Sequence, residues 1–564
     1  MHGPAAPTDP EKMRDSFYIM KDKDIYGAKM DDGRGIQYLY QDCERLVSSA
    51  QITGGVTDED QLELLRSVDG LKKLVHSIGI SVETKRPKEK VAFTFQMYGK
   101  HDLYGGGTKL QAILRGDGAE QKIYLSQAEW AEDDDIPGQI YVILETPDET
   151  ARLNVRLYLN DGYHAPKTTG EEEIAFESAE YEQMIADSCV SCGDSKRLRR
   201  VIERAKRGEE VTIAYIGGSI TQGAGAVPIY TQCYAYQSWR RFQKMYGNGE
   251  NVRFIKAGVG GTPSELGMIR FERDVLRDGS VKPDIIVIEF AVNDQGDETQ
   301  GDCYESLVRK ALKQPNEPAV VLLFSVFAND ENLQERMIPV GMHYHLPMVS
   351  IKNAVTKQFY YGHGAGRIMT KNQFFYDIYH PTNTGHRVMA DCLAYLWEQA
   401  CTSDETAETV LREPLIGNTF ENVRLLDKKD LYRNVQIQPG GFTHTDRVLQ
   451  CVEMDAVAEP VPEFPFNWHY DGTDTAQPYF EMTISCRALL LIFKDSGETD
   501  AGRADVFVDG RYVRTADPFV NGWLHCNAII ILNGHTGGSH HVRVQLQETD
   551  RKKKFTILGF GYVE

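Results

Sequence analysis

Residues 211–223 read VTIAYIGGSITQG, and this stretch decides the fold. Its first half, Val211–Gly217, is a continuous apolar run of strand length. Its second half, Gly217-Gly218-Ser219-Ile220-Thr221-Gln222-Gly223, is a tight turn into a helix with a serine at its tip. The pattern repeats downstream. VRFIKAG (252–258), DIIVIEFAV (284–292), AVVLLFSV (319–326) and PMVSI (347–351) are further apolar runs. Helical periodicity is expected over Tyr230–Tyr246, Ser264–Arg277, Tyr304–Leu312 and Asn383–Glu398. Continuous apolar runs alternating with helices specify a parallel sheet covered on both faces. The expectation is an α/β domain over residues 196–402.

The texture changes on both sides of it. Residues 1–195 read as a mixed, mainly β-sandwich domain. Asp58–Val75 has a helical stripe of Leu62, Leu65, Val68 and Leu71. VAFTFQMY places Val91, Phe93, Phe95 and Met97 on one strand face, and ARLNVRLYL does the same with Leu153, Val155, Leu157 and Leu159. Gly105–Gly107, the acidic run Glu132–Asp135 and Pro137-Gly138 break the strands, the acidic run reading as a solvated loop. The basic stretch Lys196–Arg207 reads as a linker helix rather than a phosphate-binding patch. After Cys401 the chain is all-β again. ADVFVDGRYVRT (504–515) holds Asp509-Gly510 between alternating runs, a type I′ hairpin signal. Ala528–Leu532, Val542–Leu546 and Phe555–Val563 continue it. Residues 403–564 are expected to form a C-terminal β-sandwich accessory domain.

Composition narrows the function. Of 564 residues, 82 are acidic and 62 basic, a net charge of −20. A field of that sign repels phosphate backbones and anionic lipid, so neither nucleic acid nor a membrane is the expected partner. No apolar run approaches the roughly 20 residues of a membrane helix. The start, MHGPAAPTDPEKMRDSF, shows no apolar leader, and ten scattered cysteines make no disulfide framework. A cytoplasmic protein with reduced thiols is expected, and a homo-oligomer stays open.

Ligands of α/β sheets bind at the carboxyl ends of the strands, so the residues just after each apolar run matter most. The first run ends in the Ser219 turn, where an exposed hydroxyl meets free backbone N–H groups. A phosphate turn or a simple helix cap would look the same. The second ends in Ala257-Gly258-Val259-Gly260-Gly261-Thr262-Pro263-Ser264, glycines that admit a close ligand or merely turn. The third ends in Glu289-Phe290-Ala291-Val292-Asn293-Asp294. Asn293 could aim its amide at a developing oxyanion or cap a helix. Near the domain's end stands Asp377-Ile378-Tyr379-His380-Pro381. An Asp three residues before a His can hold its Nδ1–H, or the pair can bind a metal.

In this order the four blocks resemble the SGNH (GDSL-type) hydrolase superfamily. The resemblance covers about residues 205–400 and implies a flavodoxin-like parallel sheet. Ser219 matches the nucleophile, Gly261 the second-block glycine, Asn293 the third-block asparagine, and Asp377 and His380 the final D-x-x-H. One position departs, since Gly218 stands where many relatives carry Asp. The resemblance implies an acyl-serine mechanism. His380 serves as base and Asp377 orients it, while Ser219 N–H, Gly261 N–H and the Asn293 amide form the oxyanion hole, with no cofactor and no metal. With two flanking sandwiches (jelly rolls), the architecture resembles multidomain carbohydrate esterases. That implies removal of O-acetyl groups from plant polysaccharide-derived oligosaccharides of mannan or xylan type. Alternatives are a lipase or thioesterase of the same superfamily, or a non-catalytic carbohydrate-binding protein. In Phe519-Val520-Asn521-Gly522-Trp523, Trp523 could stack on a sugar and Asn521 hydrogen-bond it, with Trp468 and Tyr470 as weaker candidates. Cys189-x-x-Cys192, His343-x-His345, His540-His541, Asp495–Asp500 and His386 read as incidental or structural.

Overall fold

The computed structural model describes residues 14–564 apart from 30–35, 43–44, 48–49, 53–55, 57, 104, 147–148, 167–172, 362–365, 378, 403–407, 430–434, 475–476 and 522. Its contacts divide the chain into two compact units, Met1–Glu173 and Ile174–Glu564.

In the first unit a six-stranded and a four-stranded antiparallel sheet share one core. The predicted inward faces are in it: Val91, Phe93, Phe95 and Met97 from one sheet, Leu153, Val155, Leu157 and Leu159 from the other. The expected single helix over Asp58–Val75 is two, Glu59–Leu65 and Val68–Leu74. The break falls at Ser67, whose hydroxyl accepts the Gly70 N–H at 3.0 Å and starts the second helix as a cap.

The second unit is built on a six-stranded sheet. Five strands, Val211–Gly217, Val252–Gly258, Ile285–Glu289, Ala319–Phe324 and Met348–Ser350, are parallel, in spatial order second, first, third, fourth, fifth. This is the flavodoxin-like order. Cys189–Ser191 adds an antiparallel edge, so the sheet is mixed. Residues 174–195 therefore belong with this sheet, whereas sequence texture puts the boundary after 195. An edge strand of three residues leaves little periodicity to read. The basic helix Ser195–Lys206 is likewise part of the domain rather than a linker. Leu198, Val201, Ile202 and Ala205 pack into its core. Its charges are paired, Arg200 with Glu317, Arg204 with Asp284 and Lys206 with Glu203.

Alternate residues of each central strand enter different cores. Ile213, Tyr215, Ile285 and Val287 face one side, and Ala214, Ile216, Ile286 and Ile288 the other. The second core runs through the helices Ser264–Asp274 and Asp302–Leu312 into the C-terminal sheet. Those helices are buried nearly all round, the signature of an element held between two layers.

Eight of the C-terminal strands pair as one antiparallel sheet, and Cys451–Val452 and Val461–Pro462 form a separate pair. The expected separate sheets of a sandwich are joined because Tyr479–Asp495 and His525–Leu546, 17 and 22 residues long, change partners along their length. In the first of them Leu489, Leu491 and Phe493 fill the domain's own core, while Ala488, Leu490 and Ile492 fill the core shared with the parallel-sheet domain. Asp509 and Gly510 both have positive φ, 52° and 76°, as the type I′ turn requires.

A buried ion network crosses the shared face. Arg270, with no exposed surface, donates to the carbonyls of Ala257 (2.6 Å) and Gly217 (2.8 Å) and pairs with Asp274 at 3.2 Å. Arg273 bridges Asp274 to Glu463 of the C-terminal region. Removing one member strands a buried charge. Asp274→Ala should destabilise the protein by about 3–5 kcal/mol, read as a fall in the urea unfolding midpoint. An unchanged midpoint would contradict the network's role.

Candidate active site

The parallel register sets the site. Gly217 lies level with Gly258 on one side and Glu289 on the other, so three adjacent strands end together. Ser219 leaves the middle strand, Gly260-Gly261 the second and Asn293 the third.

Ser219 opens the short helix Ser219–Gln222. Its Oγ lies 2.9 Å from His380 Nε2. His380 Nδ1–H points at both Asp377 oxygens, at 2.9 and 3.1 Å. Since a carboxylate only accepts, Nδ1 carries the proton and Nε2 is free to accept the serine hydroxyl. Asp377 Oδ1 also accepts the backbone N–H groups of Tyr379 and His380, each at 2.7 Å. Burial raises the Asp377 carboxyl, but the neighbouring imidazole and these hydrogen bonds outweigh it and hold it below the usual carboxylate range. Ile378, between them, lies outside the described residues. The loop is anchored by Asn383, whose amide exchanges hydrogen bonds with Val227 N–H and C=O at 2.7 and 2.8 Å.

Among the described residues the N–H groups of Ser219 and Gly261 have no acceptor. The Asn293 side chain lies against Gly218, where a Cβ would sit 2.3 Å from its Oδ1. Gly261 has φ +69°, and a Cβ there would sit 2.5 Å from Trp523 Cζ2. The indole edge of Trp523 thus covers Gly261. Asn521 is turned to its own loop, its amide nitrogen meeting Asp495 Oδ2 at 3.0 Å and His525 Nε2 at 2.9 Å. Gly522 between them is outside the described residues. Trp468 and Tyr470 are core residues packed with Phe480 and Phe442 and do not reach the site.

The remaining candidates resolve into local pairs. His386 is buried, accepts the Tyr234 N–H at 3.1 Å and donates to Ala224 O at 3.1 Å, and burial pushes its pKa down to about 3. Cys189 and Cys192 lie 3.8 Å apart at the sheet edge. His343 binds Glu413 O, His345 meets Arg412, and His540 pairs with Asp509. Asp495 holds the Asn521 N–H and Asp500 pairs with Lys554. Among the described residues no three His, Cys, Asp or Glu side chains are grouped to hold a metal.

Three residues of the site carry no sequence signal of their own. Gln222, on the nucleophile helix, accepts the Gly260 N–H at 2.9 Å, and Gln450 donates to Gly260 O at 2.8 Å. Glu289, fully buried beneath the turn, accepts from Thr221 Oγ1 at 3.0 Å. Burial raises its pKa to about 7.

Residues 215–388 match the model of the family described as GDSL-like lipase/acylhydrolase. Among solved structures, the chain is similar to a two-domain esterase (CEX) active on acetylated mannans. The two share 28% identity over 67% of this chain and 99% of that one, with a TM-score of 0.56. The same esterase co-crystallised with mannopentaose matches at 27% identity over 70% and 99% of the two chains, again at 0.56. No curated protein matches the chain. Family and neighbours together support a carboxylic ester hydrolase.

The buried carboxyl makes a prediction of definite sign. Glu289 ionises near its ordinary value when unfolded but only near 7 when folded, so it costs stability increasingly as pH rises from about 4.5 to 7. Glu289→Gln should gain stability relative to the parent between pH 5 and 8, by up to about 3 kcal/mol at roughly 1.4 kcal/mol per pKa unit. A pH-independent difference in unfolding free energy would contradict this.

Proposed function

We propose that the chain is a serine esterase that removes O-acetyl groups from plant polysaccharide-derived oligosaccharides, mannan type first and xylan type second. The observation that carries the reading is the Ser219–His380–Asp377 relay, at 2.9 Å for each of its two hydrogen bonds. The reading is supported by the Ser219 and Gly261 N–H groups, which have no acceptor among the described residues, and by the Asn293 side chain beside Gly218. The mannan preference rests on the similarity to the esterase active on acetylated mannans.

The geometry gives the mechanism. His380 Nε2 takes the proton as Ser219 Oγ attacks the acetyl carbonyl, forming the C–O bond of a tetrahedral intermediate. Its oxyanion accepts from Ser219 N–H, Gly261 N–H and the Asn293 amide. His380 returns the proton to the departing sugar oxygen, leaving an acetyl-serine. Water, deprotonated by His380, then releases acetate. Asp377 keeps the imidazole tautomer and stabilises its cation. Trp523 forms a wall beside Gly261 on which a sugar ring can stack. The acidic surface fits a neutral sugar ester as substrate, and the free thiols fit a reducing cytoplasm.

Ser219→Ala should reduce acetate release from acetylated oligosaccharides to background while thermal unfolding is unchanged. Asn293→Ala should lower kcat roughly 100- to 1,000-fold. Activity retained in the first variant, or a pure KM effect in the second, would overturn the assignment. Trp523→Ala should raise KM for an acetylated oligosaccharide more than for p-nitrophenyl acetate, which has no sugar. Equal effects on the two would remove the sugar contact.

A further inference from the structure

Two consecutive glycines, Gly260 and Gly261, flank the peptide that carries the Gly261 N–H. No Cβ restrains the backbone at either residue, so something else must aim that N–H. The contacts show what does. The Gly260 carbonyl accepts from Gln450 Nε2 at 2.8 Å. This carbonyl and the Gly261 N–H belong to one planar trans peptide and point in opposite directions. Holding the first therefore fixes the direction of the second, in a loop beside the nucleophile turn, where the Cβ position of Gly260 is 3.9 Å from Ser219 Cβ. A donor on the carbonyl also polarises the amide and strengthens its N–H as a donor.

Gln450 is itself held firmly. It is 8% exposed, its Oε1 accepts the Cys526 N–H at 2.9 Å, and its backbone carbonyl accepts the Glu463 N–H at 2.8 Å. Both partners belong to the C-terminal region, and Glu463 is the end of the buried network from Arg270. On the other side Gln222 Oε1 holds the Gly260 N–H, and Gln222 Nε2 donates to Glu453 at 2.5 Å. One side-chain amide from the hydrolase domain and one from the C-terminal region thus grip the same glycine.

We propose that Gln450 is a positioning residue for the oxyanion hole, so that the C-terminal region supplies part of the catalytic geometry. This rests on the serine-esterase reading. Gln450 touches no substrate atom and acts through the Gly260–Gly261 peptide.

Two variants test it. Gln450→Met removes both hydrogen bonds. Gln450→Glu keeps an acceptor for Cys526 N–H and places a carboxylate against the Gly260 carbonyl, and it decides the matter if the first does not fold. In the full-length chain each folded variant should lose about 10- to 100-fold in kcat on p-nitrophenyl acetate, with KM within about twofold. An alkylboronic acid, whose adduct on Ser219 places an oxygen in the hole, should lose affinity by the same factor. A merely structural role would lower the unfolding temperature without that matched loss. A kcat within twofold of the parent, a change in KM alone, or a kcat loss with unchanged boronate affinity would overturn the proposal. Ser219→Ala run alongside separates the two levels. If it is inactive while the Gln450 variants keep full activity, only the role of Gln450 falls. If it stays active, the esterase reading falls with it.

Discussion

The guanidinium of Arg270 is the contact on which the rest of the catalytic unit depends. It sits with no exposed surface and closes on the carbonyls of Gly217, the last residue of the first parallel strand, and Ala257, the last but one of the second. The Ser219 turn and the Gly260-Gly261 loop leave the sheet from those ends. A buried cation is tolerated only with a compensating carboxylate, and Asp274 supplies it from one turn along the same helix. Asp274 in turn holds Arg273, and Arg273 holds Glu463. The charges that fix the strand ends are thus the charges that bind the C-terminal region to the hydrolase domain.

The C-terminal sheet is part of the same construction. Its longest strands bury both faces, one in their own core and one against the helices that cover the hydrolase sheet. The segment joining the two regions is tied down as well. Glu305 accepts the N–H groups of Leu415, Ile416 and Gly417 at 2.7, 2.5 and 2.9 Å. From loops of the C-terminal region Trp523 reaches Gly261 and Gln450 reaches Gly260. The active site is therefore built from two layers, with the reacting triad entirely on one of them.

Legibility in the sequence divides by distance along the chain. Ser219, Gly261, Asn293, Asp377 and His380 each follow a strand or precede a helix within a few residues, and local patterning suffices to find them. The parallel sheet is legible for the same reason, since apolar runs such as Ile285–Ile288 are buried on both faces. Gln450 and Arg270 are not legible. Gln450 acts on a residue 190 positions away, and Arg270 looks like any polar residue of an amphipathic helix until the second layer covers it. The division of Asp58–Val75 into two helices is also hidden, because Ser67 preserves the apolar stripe while capping a new start. The joining of the C-terminal strands into one sheet depends on partner exchange along long strands, which no periodicity records.

The central claim is that Ser219 carries the acyl group between the two halves of the reaction. Rapid quenching of the enzyme with an activated acetyl ester, with mass spectrometry of its peptides, tests this most directly. One acetyl group is expected on the peptide containing Ser219, appearing within the first turnover and decaying once ester is exhausted. Turnover with no acetylated enzyme, or with the acetyl group on another residue, would contradict it.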